Sequence, residues 1–161
     1  QLKAIAGVAR QGIKDVRRSV KALRPDALES MNLKAALVQM MEEAKRSTGV
    51  EITWQIEPTL KGVNKDEEDI IYRIVQESIT NAIRHGKADK VRVWIDRDFN
   101  MLKIHIEDNG VGCVNVQKGF GLHHMEERLN MLKGSLSYHG DHGFVIDASI
   151  PIRWGMEEEN D

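Results

Sequence analysis

The order in which hydrophobic periodicity changes along the chain restricts its fold more than any other feature. From Asn64 to about His85 the apolar residues Ile71, Val75, Ile79, Ala82 and Ile83 recur at helical spacing, so a long helix with one buried stripe is expected. Asn64, followed three residues on by Glu67, gives that helix a capping-box start with Asn in place of Ser or Thr, and Gly86 lies just past its end. The period then drops to two. Val91 to Arg97 and Met101 to Glu107 read as strands about the polar turn Asp98 to Asn100, with Leu102, Ile104 and Ile106 on one side and Lys103, His105 and Glu107 on the other. A striped helix followed at once by such strands buries both apolar faces by packing one on the other.

The flanking segments extend this pattern. A helix is expected from about Leu33 to Thr48, with Asn32 as N-cap, Gly49 past its end and Leu33, Leu37, Met40, Met41 and Ala44 as its core stripe. Ile52, Trp54 and Ile56 alternate with Thr53 and Gln55 in a strand from Glu51 to Glu57, closed by Pro58. A fourth helix is expected from Leu122 to Leu132, stopped by Gly134, before strands Ser135 to His139 and Phe144 to Ile150 around the turn Gly140-Asp141-His142-Gly143. At the start, Leu2, Ile5, Ala9, Ile13, Val16, Val20 and Leu23 form one helical stripe, with Arg10, Lys14, Arg17, Arg18 and Lys21 on other faces and Pro25 as the stop. The fold class predicted is α+β, a two-layer sandwich in which helices cover one face of a mixed sheet. Residues 1–24 are expected to form the first helix, 25–152 the domain and 153–161 a frayed acidic tail.

A net charge of −2 gives no electrostatic reason to expect nucleic acid as a partner. The single cysteine, Cys113, excludes an internal disulfide and suits a reducing compartment. No apolar run reaches the roughly 18–20 residues that span a bilayer. The chain opens on Gln1 and is read as a piece of a longer protein, with any membrane anchor upstream. His123 and His124 are adjacent and do not share a helix face, and no zinc-ligand spacing is present.

Three features carry chemistry. Glu77 and Asn81, four apart, share a helix face near Arg73 and Arg84; this is either a solvated polar face or a site where a carboxylate and a carboxamide oxygen hold a water or hydroxyl and a Mg²⁺ ion. Asp108-Asn109-Gly110-Val111-Gly112 directly follows a strand. It is either a plain turn or a place where Asp108 accepts from an exocyclic amine while glycines admit a flat ligand. Gly119-Phe120-Gly121-Leu122 opens a helix whose terminal amides favour phosphate, but it matches neither the six-position dinucleotide fingerprint nor a Walker loop.

In this order the three segments resemble the N, G1 and G2 boxes of the histidine-kinase-like (GHKL, or Bergerat) ATPases, the N box being Gln76 to His85. Leu122-His123-His124-Met125-Glu126-Glu127-Arg128-Leu129, and Val16 to Pro25, are similar to stretches of the sensor histidine kinase subfamily typified by nitrate and lipid-fluidity sensors. The resemblance implies the Bergerat fold, preceded by the end of a second dimerisation helix. It implies ATP and Mg²⁺ as ligands, Asn81 as the Mg²⁺ ligand, Asp108 at the adenine amine, and Glu77 as the residue polarising an attacking histidine. Arg84 or His85 would approach the phosphates, while Gly110, Gly112, Gly119, Gly121 and Leu122 would border the nucleotide. Six residues, Cys113 to Lys118, separate the two glycine boxes, implying a short lid.

The implied partners are an upstream dimerisation domain bearing the phosphoacceptor histidine, a cognate response regulator, and a second copy in a homodimer. The implied location is the cytoplasmic side of a membrane-anchored sensor. The phosphoacceptor histidine would lie before Gln1, so the chain is expected to bind ATP without labelling itself. Where many relatives carry Thr after the glycine of the penultimate turn, Phe144 follows Gly143 here. The competing readings are an anti-sigma-type serine kinase and a degenerate binding or dimerisation module without turnover.

Overall fold

Apolar stripes and alternating strands require two layers, and the computed structural model has them over the residues it describes, 25–57, 60–112 and 121–152. The expected first helix and the acidic tail lie outside those residues. The first described element is a short helix α1, Asp26–Ser30, whose N-cap is Pro25, with Asp26 and Glu29 in its first turn and Leu28 buried. Proline suits a helix start because the N–H it lacks would have no intrahelical partner there, and the carboxylates favour the positive end of the helix dipole.

Helix α2, Leu33–Thr48, begins where Asn32 Oδ1 accepts from the Ala35 amide at 2.8 Å. It ends at Gly49, whose φ of +76° lets its N–H reach the Lys45 carbonyl. Its buried residues are Leu33, Ala36, Leu37 and Met41, with Met40 and Ala44 half-covered. Strand β1, Glu51–Ile56, leads to helix α3, Lys65–Arg84, whose N-cap Asn64 accepts from the Glu67 amide at 2.8 Å. Asp66, Glu67 and Glu68 occupy its first turn and Arg84 its last, the charge order that the helix dipole favours. Strands β2, Lys90–Asp98, and β3, Met101–Asp108, form the expected hairpin, its tip holding Phe99 at φ +54°. Helix α4, Leu122–Met131, and strands β4, Ser135–His139, and β5, Val145–Pro151, complete the chain order.

The five strands lie in the order β1-β2-β3-β5-β4. β1 and β2 are parallel, joined through α3, and the other pairs are antiparallel. The register sets Ile56, Ile95, Ile104, Ala148 and Leu136 in one row beneath the helices. Leu37, Met41, Ile71, Ile74, Leu129 and the inward-facing strand residues close the core between the layers. Each such side chain contributes about 1.5–3 kcal/mol by leaving water.

The opposite face is polar. There Arg92 lies 3.8 Å from Glu107, while His105 Nδ1 meets Asp147 at 2.6 Å and its Nε2 meets Glu107 at 3.3 Å. Burial pulls the His105 imidazole down, but these two carboxylates outweigh it and hold the ring above its ordinary pKa.

Candidate functional site: the end of the sandwich around Asp108

The register places the start of β2 and the end of β3 at one end of the sheet, with Val91 opposite Asp108. Helix α3 delivers its C-terminus to the same end. Glu77 is half-buried and Asn81 is 8% exposed, while Arg84 and His85 are exposed at the last turn. The Asn81 carbonyl accepts from the amides of His85 at 2.9 Å and Gly86 at 3.0 Å, which closes the helix above the strand ends.

Asn109 fastens that closure to β3. Its Oδ1 accepts from the amides of Asp89 at 3.0 Å and Lys90 at 2.9 Å, and its Nδ2 donates to the Asp89 carboxylate. The Val111 amide donates to the Gly86 carbonyl at 2.8 Å. Read locally, Asn109 is a turn former; in the structure it binds the turn after α3 to the end of β3. No local signal could reveal this, because the partners are 19 and 20 residues away.

Asp108 ends β3 half-buried. Its Oδ1 accepts from the Gly110 amide at 2.8 Å and from the Phe144 amide at 3.3 Å. Its own amide donates to the Phe144 carbonyl at 3.0 Å. Burial raises its pKa above the usual carboxylate value, while the Gly110 and Phe144 amides pull it back down. Both donors are directed to one oxygen, so Oδ2 is the atom left for an incoming donor. Perturbed carboxylates of this kind concentrate at functional sites.

The glycines here answer to the protein's own backbone. A Cβ on Gly110 would be driven into the carbonyl of Gly86, and one on Gly112 into that of Gly140. Packing between loops is therefore reason enough for glycine at both positions, apart from any ligand. Gly121, at φ +71°, caps α4, and a Cβ there would stand 3.1 Å from Glu77 Oε2. The start of α4 and the catalytic candidate on α3 are thus neighbours. Leu122 is buried beneath that turn. Gly119 and the lid segment 113–118 lie outside the described residues, so the structure bears on neither.

Acceptor, carboxamide and carboxylate thus converge at the helix-covered end of a mixed sheet, beside a helix N-terminus. That arrangement is a candidate ligand site in an α+β domain. Residues 66–153 match the family of histidine kinase-, DNA gyrase B-, and HSP90-like ATPases, and the chain belongs to it.

It is 30% identical over 167 aligned positions to the sensor histidine kinase LiaS of Bacillus subtilis (strain 168), covering 100% of this chain and 46% of LiaS. It is 26% identical to the oxygen sensor histidine kinase NreB of Staphylococcus carnosus (strain TM300), covering 93% of this chain and 45% of that protein. The chain thus spans about half the length of these curated relatives. Among solved structures, the histidine kinase domain of a blue-light activated histidine kinase from Erythrobacter litoralis superposes with a TM-score of 0.62 at 20% identity, over 74% of this chain and 61% of that one. The catalytic domain of histidine kinase ThkA superposes with a TM-score of 0.58 at 15% identity, over 74% of this chain and 90% of that one. The α+β sandwich is the fold of histidine kinase catalytic domains. Within that family the chain is similar to sensor histidine kinases.

Proposed function

We propose that this domain transfers the γ-phosphoryl group of ATP to a histidine nitrogen on a dimerisation domain of the parent protein, for relay to an aspartate of a response regulator. The observation that carries the reading is the convergence of Asp108, Asn81 and Glu77 at one end of the sandwich, with the start of α4 against Glu77. Asp108 Oδ2 accepts from the adenine amine, since Oδ1 is taken by two backbone amides. Asn81, Arg84 and His85 face the phosphates from the last turns of α3, and Gly121 and Leu122 offer the start of α4 on the other side.

Mg²⁺ fits the donor set. One neutral oxygen from Asn81 leaves the remaining positions to phosphate oxygens and water, as this ion prefers, and when bound it neutralises phosphate charge. Glu77 holds and polarises the attacking imidazole, so that catalysis rests on positioning and charge stabilisation. The parent protein works as a homodimer whose sensor is anchored in a membrane, with this domain on the cytoplasmic side. No helix among the described residues is long and apolar enough to cross one.

Calorimetric titration of MgATP into the chain tests the site. Binding is expected in the parent, with Asp108→Asn abolishing it and Asn81→Ala blunting its Mg²⁺ dependence. A folded parent that binds no MgATP sinks the proposal in favour of a degenerate module. Phosphoryl transfer is tested by adding the dimerisation domain with its histidine and labelled ATP. Label is expected on that histidine and none when Glu77 is replaced by Gln; efficient labelling of this chain alone is the contrary result.

A further inference from the structure

Phe144 departs from the family pattern at a point where the structure gives it definite surroundings. The β3–β5 register ends with Glu107 opposite Val145, so the next step sets Phe144 opposite Asp108, consistent with the hydrogen bonds between them in both directions. Residues opposed in an antiparallel pair share a face, and here it is the helix-covered face that Ile106 and Ile146 also occupy. On the neighbouring strand Tyr138 pairs with Ile146 and points to that same side. The two rings stack at 6.1 Å between centroids and 16° between planes. Phe144 rests partly on the core, whereas Tyr138 remains 38% exposed at the sheet edge. A flat aromatic surface, partly open, thus stands beside a desolvated carboxylate with one oxygen uncommitted.

We propose that Tyr138 and Phe144 form an aromatic wall for the purine ring beside Asp108 and contribute to base affinity in place of a hydroxyl contact. The inference rests on the reading of Asp108 as the adenine acceptor. Asp108 supplies the directional hydrogen bond and the rings supply dispersion and the exclusion of water, the usual division of labour in pockets for flat ligands. The turn lies close against β3, since a Cβ on Gly143 would run into the Asp108 carbonyl.

The test is MgATP titration of the full chain with Phe144→Thr, Tyr138→Ala, Tyr138→Phe and Asp108→Asn, each with a nucleotide-free melting curve. Losing an aromatic partner of a base is expected to weaken binding about 5- to 100-fold. That loss should appear in Phe144→Thr and Tyr138→Ala, with Tyr138→Phe, which keeps the ring, at the parent affinity. Parent-like or tighter binding by folded Phe144→Thr and Tyr138→Ala, while Asp108→Asn still abolishes it, overturns the wall and leaves the acceptor reading standing. Equal loss in Tyr138→Phe also overturns it, since the hydroxyl and not the ring would then matter. An unaffected Asp108→Asn overturns the acceptor reading and the wall with it.

Discussion

Replacing Gly110 by alanine separates two reasons why a glycine stands in a nucleotide-binding loop. If the residue is there only to admit a ligand, the ligand-free domain tolerates a methyl group. The structure predicts otherwise, because the added Cβ overlaps the carbonyl group and Cα of Gly86, which are backbone atoms and cannot rotate away. The φ of Gly110 lies outside the left-handed region, so the demand is steric alone. Overpacking of this sort costs about 1–3 kcal/mol. Displacing Gly86 also breaks the Val111 N–H to Gly86 C=O bond of 2.8 Å, which adds about 1 kcal/mol. The sum, about 2–4 kcal/mol, corresponds to a midpoint lower by about 5–15 °C for a domain of this size. The assay is thermal unfolding without nucleotide, with Gly49→Ala as reference. A Cβ on Gly49 meets nothing within 4 Å, though its φ is +76°, so only left-handed strain of about 1–2 kcal/mol applies there. A Gly110→Ala midpoint within about 2 °C of the parent refutes the packing argument, and any accompanying loss of nucleotide binding would then belong to ligand approach.

Four further outcomes are expected. Asn64→Ala removes the acceptor for the Glu67 amide and should cost about 1 kcal/mol in denaturant unfolding, with an unchanged midpoint speaking against the cap. Asp108→Asn should leave the nucleotide-free domain at least as stable as the parent at neutral pH. The folded pKa of Asp108 is raised, so its charged form opposes folding above that pKa and ceases to as pH falls through it; a lower neutral-pH midpoint for the variant contradicts this. His105 has the opposite charge type: its raised folded pKa gives stability present in full below the unfolded value and lost as pH rises through the folded one. His105→Gln should therefore flatten the pH dependence of the melting midpoint over that window, and a parent-like slope would show that the contacts to Asp147 and Glu107 carry no linkage. Ile74→Ala, at a fully buried position of α3, should cost about 2–5 kcal/mol; a loss below about 1 kcal/mol would mean that the core between the layers collapses around the gap.

Periodicity made the layers legible, because α3 and the β2–β3 hairpin each bury a face whose pattern is local. The boundaries came within a residue or two for the same reason: Asn32, Asn64 and Gly49 act through atoms at most four positions away. Helix α1 escaped because five residues hold too little period to detect, and a proline in sequence can follow a helix as readily as begin one. The strand order β1-β2-β3-β5-β4 was not legible either. It depends on which strand edges meet once α4 packs against β4 and α3, a choice made by the assembled core.

The candidate site divides along the same line. Glu77 and Asn81 are visible in sequence because helix geometry puts residues four apart side by side, and Asp108 because a strand end followed by glycines is a local event. What holds them together is not local. Asn109 reaches back to Asp89 and Lys90, Gly110 and Gly86 lie backbone to backbone, and Phe144 straddles Asp108 from the far side of the hairpin. These braces join three connections of the sandwich at one end, so that Gly110 and Gly112, read from sequence as ligand contacts, are also part of a frame. A frame assembled from backbone groups has a consequence for the proposed role of Asp108: its carboxylate is held by backbone amides without any ligand, and little of a ligand's binding free energy need be spent on ordering it.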